Sequence, residues 1–224
     1  MTLKQQIKTW ALRHGADVCG IAPVRRFDGA PEGFHPRDIY PECRSVIVIG
    51  KSLPHGTIES EKIIPYSHFN NLIKPLLDQA VLNMATHLEI AGYCTVPLPC
   101  DDPYDYWDEE KMEGRGILSM RHAARMAGLG ILGKNTLLIH PVFGNLLRLG
   151  ALLTSAVIEE DPIIEKEMCP DDCRLCLDAC PAGALDGVTV EQKKCRLHSM
   201  RVTGRQFCIY GCNECTKACP HSHR

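Results

Sequence analysis

Residues 169–181 read CPDDCRLCLDACP, and residues 208–220 read CIYGCNECTKACP. Both obey C-x3-C-x2-C-x3-C-P. Each contains the tail of the bacterial ferredoxin run C-x2-C-x2-C-x3-C-P, with one extra residue in the first gap. A cubane iron–sulfur cluster needs a thiolate at each iron, and closely spaced cysteines on a tight loop can wrap three corners. The fourth cysteine, followed by proline, points away and ligates the other cluster. Two such runs imply two [4Fe–4S] clusters with exchanged fourth ligands, held in a ferredoxin-like module. Zinc sites also use CxxC pairs, but rarely two runs that each close on Cys-Pro. Nine cysteines compete for eight positions. Most simply, Cys169, Cys173, Cys176 and Cys219 hold one cluster, and Cys180, Cys212 and Cys215 hold the other together with Cys195 or Cys208. Internal symmetry favours Cys208.

The chain of 224 residues carries thirteen cysteines. Cys19, Cys43, Cys94 and Cys100 are scattered through the earlier part and read as buried small hydrophobes. The other nine crowd together from Cys169 onward. That asymmetry places a boundary within residues 159–168 (EEDPIIEKEM), an acidic connector, and divides the chain into domains at 1–160 and 161–224. Cysteines in such number without a secretory leader are not expected to be disulfides, because the cytosol keeps thiols reduced. The opening MTLKQQIKTWALRHG has no unbroken apolar segment, and the longest apolar stretch, near residues 150–158, is too short to span a bilayer. A cytoplasmic protein without membrane contact is expected. Net charge is −2 with a pI near 6.5. This gives no basic surplus of the kind that grips phosphates, so a nucleic-acid partner is not expected.

Upstream, Thr2 is placed to cap a helix with Leu3, Ile7, Trp10 and Ala11 on one face and Gly15 at its end. Residues 18–22 read as a buried strand, and residues 23–44 as a long surface loop. SVIVIG (residues 45–50) is a continuous β-branched run, the mark of a strand covered on both faces. A long helix is expected over residues 69–91, with Leu72, Leu76, Leu77, Ala80, Val81, Met84 and Leu88 at helical spacing. Residues 94–98, 136–140 and 149–157 read as strands, and residues 117–127 as a helix. The acidic, aromatic stretch CDDPYDYWDEEKMEGRG (residues 100–116) reads as a loop over a site or interface. Strands alternating with helices predict an α/β core of helices packed on a sheet.

Six stretches carry a resemblance: RHAARMAGLGILGKN (121–135), HPVFG (140–144), LGALLT (149–154), CRLCLDACPAGAL (173–185), KKCR (193–196) and IYGCNECTKACP (209–220). They resemble the epoxyqueuosine reductase family, iron–sulfur and cobalamin enzymes related to reductive dehalogenases. The resemblance implies a nitroreductase-like three-layer α-β-α domain that holds cobalamin above one cluster, with the second cluster feeding electrons inward. It also implies that a lone cysteine between the two runs completes a cluster. Cys195 stands there, so the implied ligands are Cys169, Cys173, Cys176, Cys180, Cys195, Cys212, Cys215 and Cys219. Where the family has an acidic residue thought to donate a proton, this chain has Gly114, with Glu113 beside it and Asp101 and Asp102 upstream. Full-length relatives continue into a helical-repeat domain for tRNA, whereas this chain ends at Arg224, as a short form would.

Lys134 and Asn135, in GLGILGKN, are the candidate cofactor-binding residues, since a glycine turn lets backbone approach a ligand closely. The plainer reading is a helix-to-strand turn with an exposed lysine. Tyr104, Asp105 and Tyr106 are candidates to donate protons, against a solvated loop as the alternative. His198 is read as a surface histidine, and His221 and His223 as part of a short tail. No catalytic residue is assigned. The expectation is a redox protein relaying single electrons through two [4Fe–4S] clusters to cobalamin or another corrinoid. It would be an oxidoreductase on a small-molecule substrate, fed by an electron donor such as a ferredoxin or flavodoxin. The alternatives are an electron carrier or docking protein with no catalytic site of its own, and a flavin in the α/β domain.

Overall fold

Thr2 starts the first helix through a reciprocal cap: its Oγ1 accepts from Gln5 N (3.3 Å), and its own N–H donates to Gln5 Oε1 (2.9 Å). In the computed structural model, which describes residues 1–222, this helix is α1 (Leu3–Arg13). His223 lies outside the described residues. Next come β1 (Val18–Pro23), a 3-10 turn at Val24–Phe27, α2 (Pro36–Ile39), β2 (Ser45–Ser52), α3 (Gly56–Glu59), α4 (Ile63–Ile90) and β3 (Thr95–Leu98). The stretch at 100–116 holds a small hairpin of β4 (Tyr106–Asp108) and β5 (Glu113–Arg115). It is followed by α5 (Met120–Met126), β6 (Ile131–Leu132), β7 (Leu138–Ile139) and β8 (Leu147–Thr154). The cysteine-rich part contains α6 (Leu175–Asp178), α7 (Gln192–Ser199), β9 (Met200–Val202), β10 (Cys208–Tyr210) and α8 (Glu214–Lys217).

One four-stranded sheet, ordered β1-β2-β8-β3 with every pair antiparallel, carries the core. Alternation along β2 explains why its sequence is apolar at every position. Ile47 lies opposite Ile21 and Leu152, and all three face α1 and α4 in one apolar cluster. Val46 lies opposite Ala22 and Leu153, and these face α5 in a second cluster. The sheet is thus covered on both faces, as a mixed α/β fold requires.

Several elements differ from their predicted extent. Helix α4 starts at Ile63 rather than at 69 and runs through Pro75. The carbonyl of Asn71, whose partner the proline ring removes, lies at an exposed residue where water can satisfy it. Leu72 and Leu76 are 42% and 52% exposed, not buried: the apolar stripe through Ile73, Leu77, Ala80, Val81, Met84 and Leu88 leaves them one step round the helix. Cys94 is likewise exposed, while Cys43 is buried and Cys19 and Cys100 pack against the core. Strand β8 ends at Thr154, three residues early, and the predicted strand at 136–140 shrinks to β7 because Thr136 adopts a left-handed φ of 62°. The 23–44 loop buries Val24 and Phe27. The acidic segment is no slack connector. Asp161 accepts from Ile21 N (3.0 Å) and Lys8 Nζ (2.8 Å), while Arg26 donates to Glu160 (2.9 Å) and to the Asp161 carbonyl (2.8 Å). Among the described residues, no helix is long and apolar enough to cross a membrane.

Helices α1 and α4 meet through His14 and His87, whose Nε2 atoms lie 3.1 Å apart, with Trp10 stacked on His87 at 4.9 Å. One ring must be neutral to accept from the other. Burial, helped by His87, lowers the His14 pKa from the usual histidine value. A depressed folded pKa gives stability that is present above the unfolded value and lost as pH falls through the folded one. The thermal midpoint should therefore drop between pH 7 and pH 5, and His14→Gln should flatten that drop. An unchanged pH slope in the variant would remove the pair from the explanation.

Candidate metal centre

Helices α6 and α8 are the structural form of the sequence repeat. Each is a single turn with its run's third cysteine, Cys176 or Cys215, as its second residue, and each is followed by the fourth cysteine and a proline. The two turns pack against each other. This brings the runs together so that their ends cross. Burial raises the Cys176 thiol above its usual pKa, and the nearby Cys169, Cys219 and Cys173 add to the rise. Cys219 is raised by burial and then by Cys169 and Cys173. Burial pushes Cys215 up to about 12, with Cys212, Cys195, Cys180 and Cys176 contributing. Cys212 is raised by burial, then by Glu214, Cys195 and Cys180.

The cysteines thus crowd into two overlapping quartets, Cys169, Cys173, Cys176 and Cys219, and Cys180, Cys195, Cys212 and Cys215, with Cys176 also near Cys215. All thirteen cysteines are free thiols. Crowded thiolates repel one another, so ionising them together is favourable only around a cationic centre. Cys195 reaches its quartet from α7, whereas Cys208 sits exposed on β10. Cys180 Sγ also accepts a hydrogen bond from Ala184 N at 3.3 Å. Among the described residues, no three His, Cys, Asp or Glu side chains form a site for a single metal ion. A cavity of about 50 Å³ lies instead among Cys169, Cys173, Cys176 and Cys219, lined also by Lys134, Asn135 and Ile139.

Lys134 and Asn135 thus stand at the cysteines. Lys134 Nζ donates to three carbonyls of the first cysteine loop: Pro170 (2.9 Å), Asp171 (2.5 Å) and Cys173 (3.0 Å). Asn135 is 3% exposed; its Nδ2 donates to the Cys215 carbonyl (3.2 Å), and its Oδ1 accepts from Leu137 N (3.2 Å). Asn145, which the sequence reading passed over, donates to the next carbonyl, Thr216 (3.3 Å). Two buried amides thereby hold consecutive carbonyls of α8. The only signal for Asn145 was a polar residue inside an apolar run. The glycine turn itself packs on the chain's own backbone, with Gly128 against the Pro162 carbonyl and Gly130 against that of Ile139.

The hairpin joins this centre at α7. Gln192 pairs reciprocally with Gly114, its Oε1 accepting from the backbone N–H and its Nε2 donating to the carbonyl, both at 3.0 Å. Arg196, next to Cys195, lies over the rings of Tyr104 (5.4 Å) and Trp107 (5.0 Å) and donates to the Tyr104 hydroxyl (3.2 Å). Gln192 and Arg196 were both missed from sequence, since their partners lie far away along the chain. Of the proton-donor candidates, Tyr104 is half-buried here, Asp105 and Tyr106 are exposed, and Asp101 pairs with Lys74. At Gly114 a Cβ would meet the Tyr104 ring at 2.6 Å. Gly114→Ala should therefore cost about 1–3 kcal/mol by overpacking, read from thermal or denaturant unfolding, and Tyr104→Ala in the same chain should recover part of it. Additive losses would mean that the two residues do not meet.

The class of fold is defined by its structural neighbours. The chain superposes on the Streptococcus thermophilus epoxyqueuosine reductase with a TM-score of 0.71 at 22% identity, covering 100% of this chain and 67% of that one. It superposes on a catabolic reductive dehalogenase with a TM-score of 0.70 at 20% identity, covering 97% and 32%. In sequence the chain is similar to epoxyqueuosine reductases: to that of Staphylococcus aureus it is 28% identical over 254 residues, covering 97% of this chain. It spans 64% of that relative's length. No protein-family model matches the chain. One neighbour, with a TM-score of 0.65, is an epoxyqueuosine reductase with an epoxyqueuosine-modified tRNA-Tyr stem loop. A nucleic-acid partner is therefore known among the relatives, against the expectation drawn from net charge.

Proposed function

We propose that this chain is an iron–sulfur redox protein, an epoxyqueuosine reductase-like oxidoreductase that moves single electrons through two [4Fe–4S] clusters in a ferredoxin-like module. The observation that carries this reading is the crowding of eight cysteines, from the two runs and α7, around one another. The donor set fits the group: four soft thiols surround the cavity, the ligands such clusters take. Cys169, Cys173, Cys176 and Cys219 would hold one cluster, and Cys180, Cys195, Cys212 and Cys215 the other. When bound, the clusters supply one-electron transfer. The protein buries or half-buries the thiols, ties the cysteine loops down through Lys134, Asn135 and Asn145, and directs the Ala184 N–H at Cys180.

A corrinoid above the module, within a nitroreductase-like α/β domain, is the finer part of the proposal. Its support is the likeness to a dehalogenase described as B12-dependent, at a TM-score of 0.68. Lys134 and Asn135 are engaged with the cysteine loops and do not fit as its direct holders. One observation favours the second reading, an electron carrier without a substrate site: at Gly114, where the family's acid is expected, Tyr104 fills the space a side chain would take. The test is anaerobic purification with iron, acid-labile sulfide and cobalt assays beside visible spectra, with and without cobalamin. About eight iron per chain with stoichiometric corrinoid supports a corrinoid reductase acting on a small substrate. The same iron without corrinoid supports the carrier. Zinc in place of iron would sink both.

A further inference from the structure

The segment from Gln192 to Asn213 contains Lys193, Lys194, Arg196, Arg201 and Arg205 and no acidic residue, in a chain whose net charge is −2. Its α7 cations are engaged: Lys194 pairs with Glu191 (2.6 Å), Lys193 bonds the Glu110 carbonyl (2.7 Å), and Arg196 lies on Tyr104 and Trp107. Arg201 and Arg205 stand exposed on the β9–β10 hairpin, Arg205 over the ring of Phe207 at 5.9 Å. Exposed apolar side chains lie on the same segment: Leu197 is 65% exposed, Val202 66% and Phe207 61%. The base of the hairpin is fixed, Tyr210 N donating to Ser67 Oγ on α4 (2.8 Å), while its tip projects. Cys195 precedes this hairpin and Cys212 follows it in the chain, so the base of the hairpin adjoins the second quartet.

We infer that the β9–β10 hairpin is the docking surface for an acidic, one-electron donor protein of the flavodoxin or ferredoxin kind. The inference rests on the proposed clusters. Positive charge draws the acidic partner in and orients it, and the apolar rim seats it. The reduced donor gives up one electron and the cluster at Cys180, Cys195, Cys212 and Cys215 gains it; no bond forms or breaks and no proton moves.

The test uses the full chain reconstituted anaerobically with iron and sulfide, mixed in a stopped-flow instrument with reduced flavodoxin, and separately with dithionite. Arg201→Glu with Arg205→Glu should slow reduction by flavodoxin at low salt at least about tenfold and leave reduction by dithionite unchanged. Wild-type rates should fall as salt rises, and Phe207→Ser should slow the flavodoxin reaction without changing its salt dependence. Equal flavodoxin rates in wild type and the double variant would overturn the inference while leaving the clusters intact. So would a double variant that loses only affinity for a tRNA stem loop, which would make the surface an RNA site. Failure of dithionite to reduce any cluster would instead overturn the reading on which the inference rests.

Discussion

Replacing Cys195 with serine should halve the iron retained by the reconstituted chain, from about eight atoms to about four, whereas Cys208→Ser should leave it unchanged. On spacing alone, internal symmetry favours Cys208, and only the family resemblance implies Cys195. In the fold, Cys195 lies on α7 among the cysteines that raise Cys212 and Cys215, while Cys208 is exposed on β10. Serine keeps the size of the side chain and removes the soft thiolate, so the change addresses ligation more than packing. Iron and sulfide assays, with the reduced protein's paramagnetic resonance spectrum, read the outcome directly. Loss of a cluster on Cys208→Ser but not on Cys195→Ser would reverse the assignment.

Gly144→Ala should be among the most damaging substitutions outside the cysteines. Gly144 has φ +54°, and a Cβ there would sit on the backbone of His221, immediately after Cys219 and Pro220. The left-handed backbone costs about 1–2 kcal/mol for a side chain, and backbone displacement adds about 1–3 kcal/mol. A total of roughly 2–5 kcal/mol corresponds to a fall in thermal midpoint of roughly 4–20 °C. Gly183→Ala is the control: its φ is +57°, but its Cβ meets nothing within 4 Å, so only the conformational part should appear. The strain at Gly144 falls on the segment that brings Cys219 to the first quartet. Iron from that quartet should therefore be the first to leave when the variant is challenged with a chelator. Equal losses in the two alanine variants would show that the contact with His221 is not rigid.

What could be read from sequence is what is encoded locally. Thr2 announces α1, the run at 45–50 announces a strand covered on both sides, and the cysteine repeat announces a matched pair of tight loops, which the fold winds into the single turns of α6 and α8. The rest is held by partners far along the chain. Nothing near Lys134 says that its ammonium group will meet carbonyls at 170–173, and nothing near Asn145 points to Thr216. The β4–β5 hairpin was unreadable for another reason: YWD and EGR carry no alternating apolar face, and the hairpin is held by Gln192 and by Arg196 on its aromatic rings. Leu72 and Leu76 show the limit of a periodic pattern, which fixes a buried stripe without fixing its width.

The crossing of the cysteine runs also sets an order of assembly during synthesis. On the proposed ligand sets, the first quartet waits for Cys219 and the second takes Cys180 from the earlier run, so neither would be complete until both runs have left the ribosome. The sheet and its helices, with every strand already made by Thr154, can fold before then and present Lys134, Asn135 and Asn145 as a ready seat. On the proposed ligand sets, the metal centre can be completed only after the second run has been made. A stalled or shortened product lacking the second run would carry reactive thiols and no complete site.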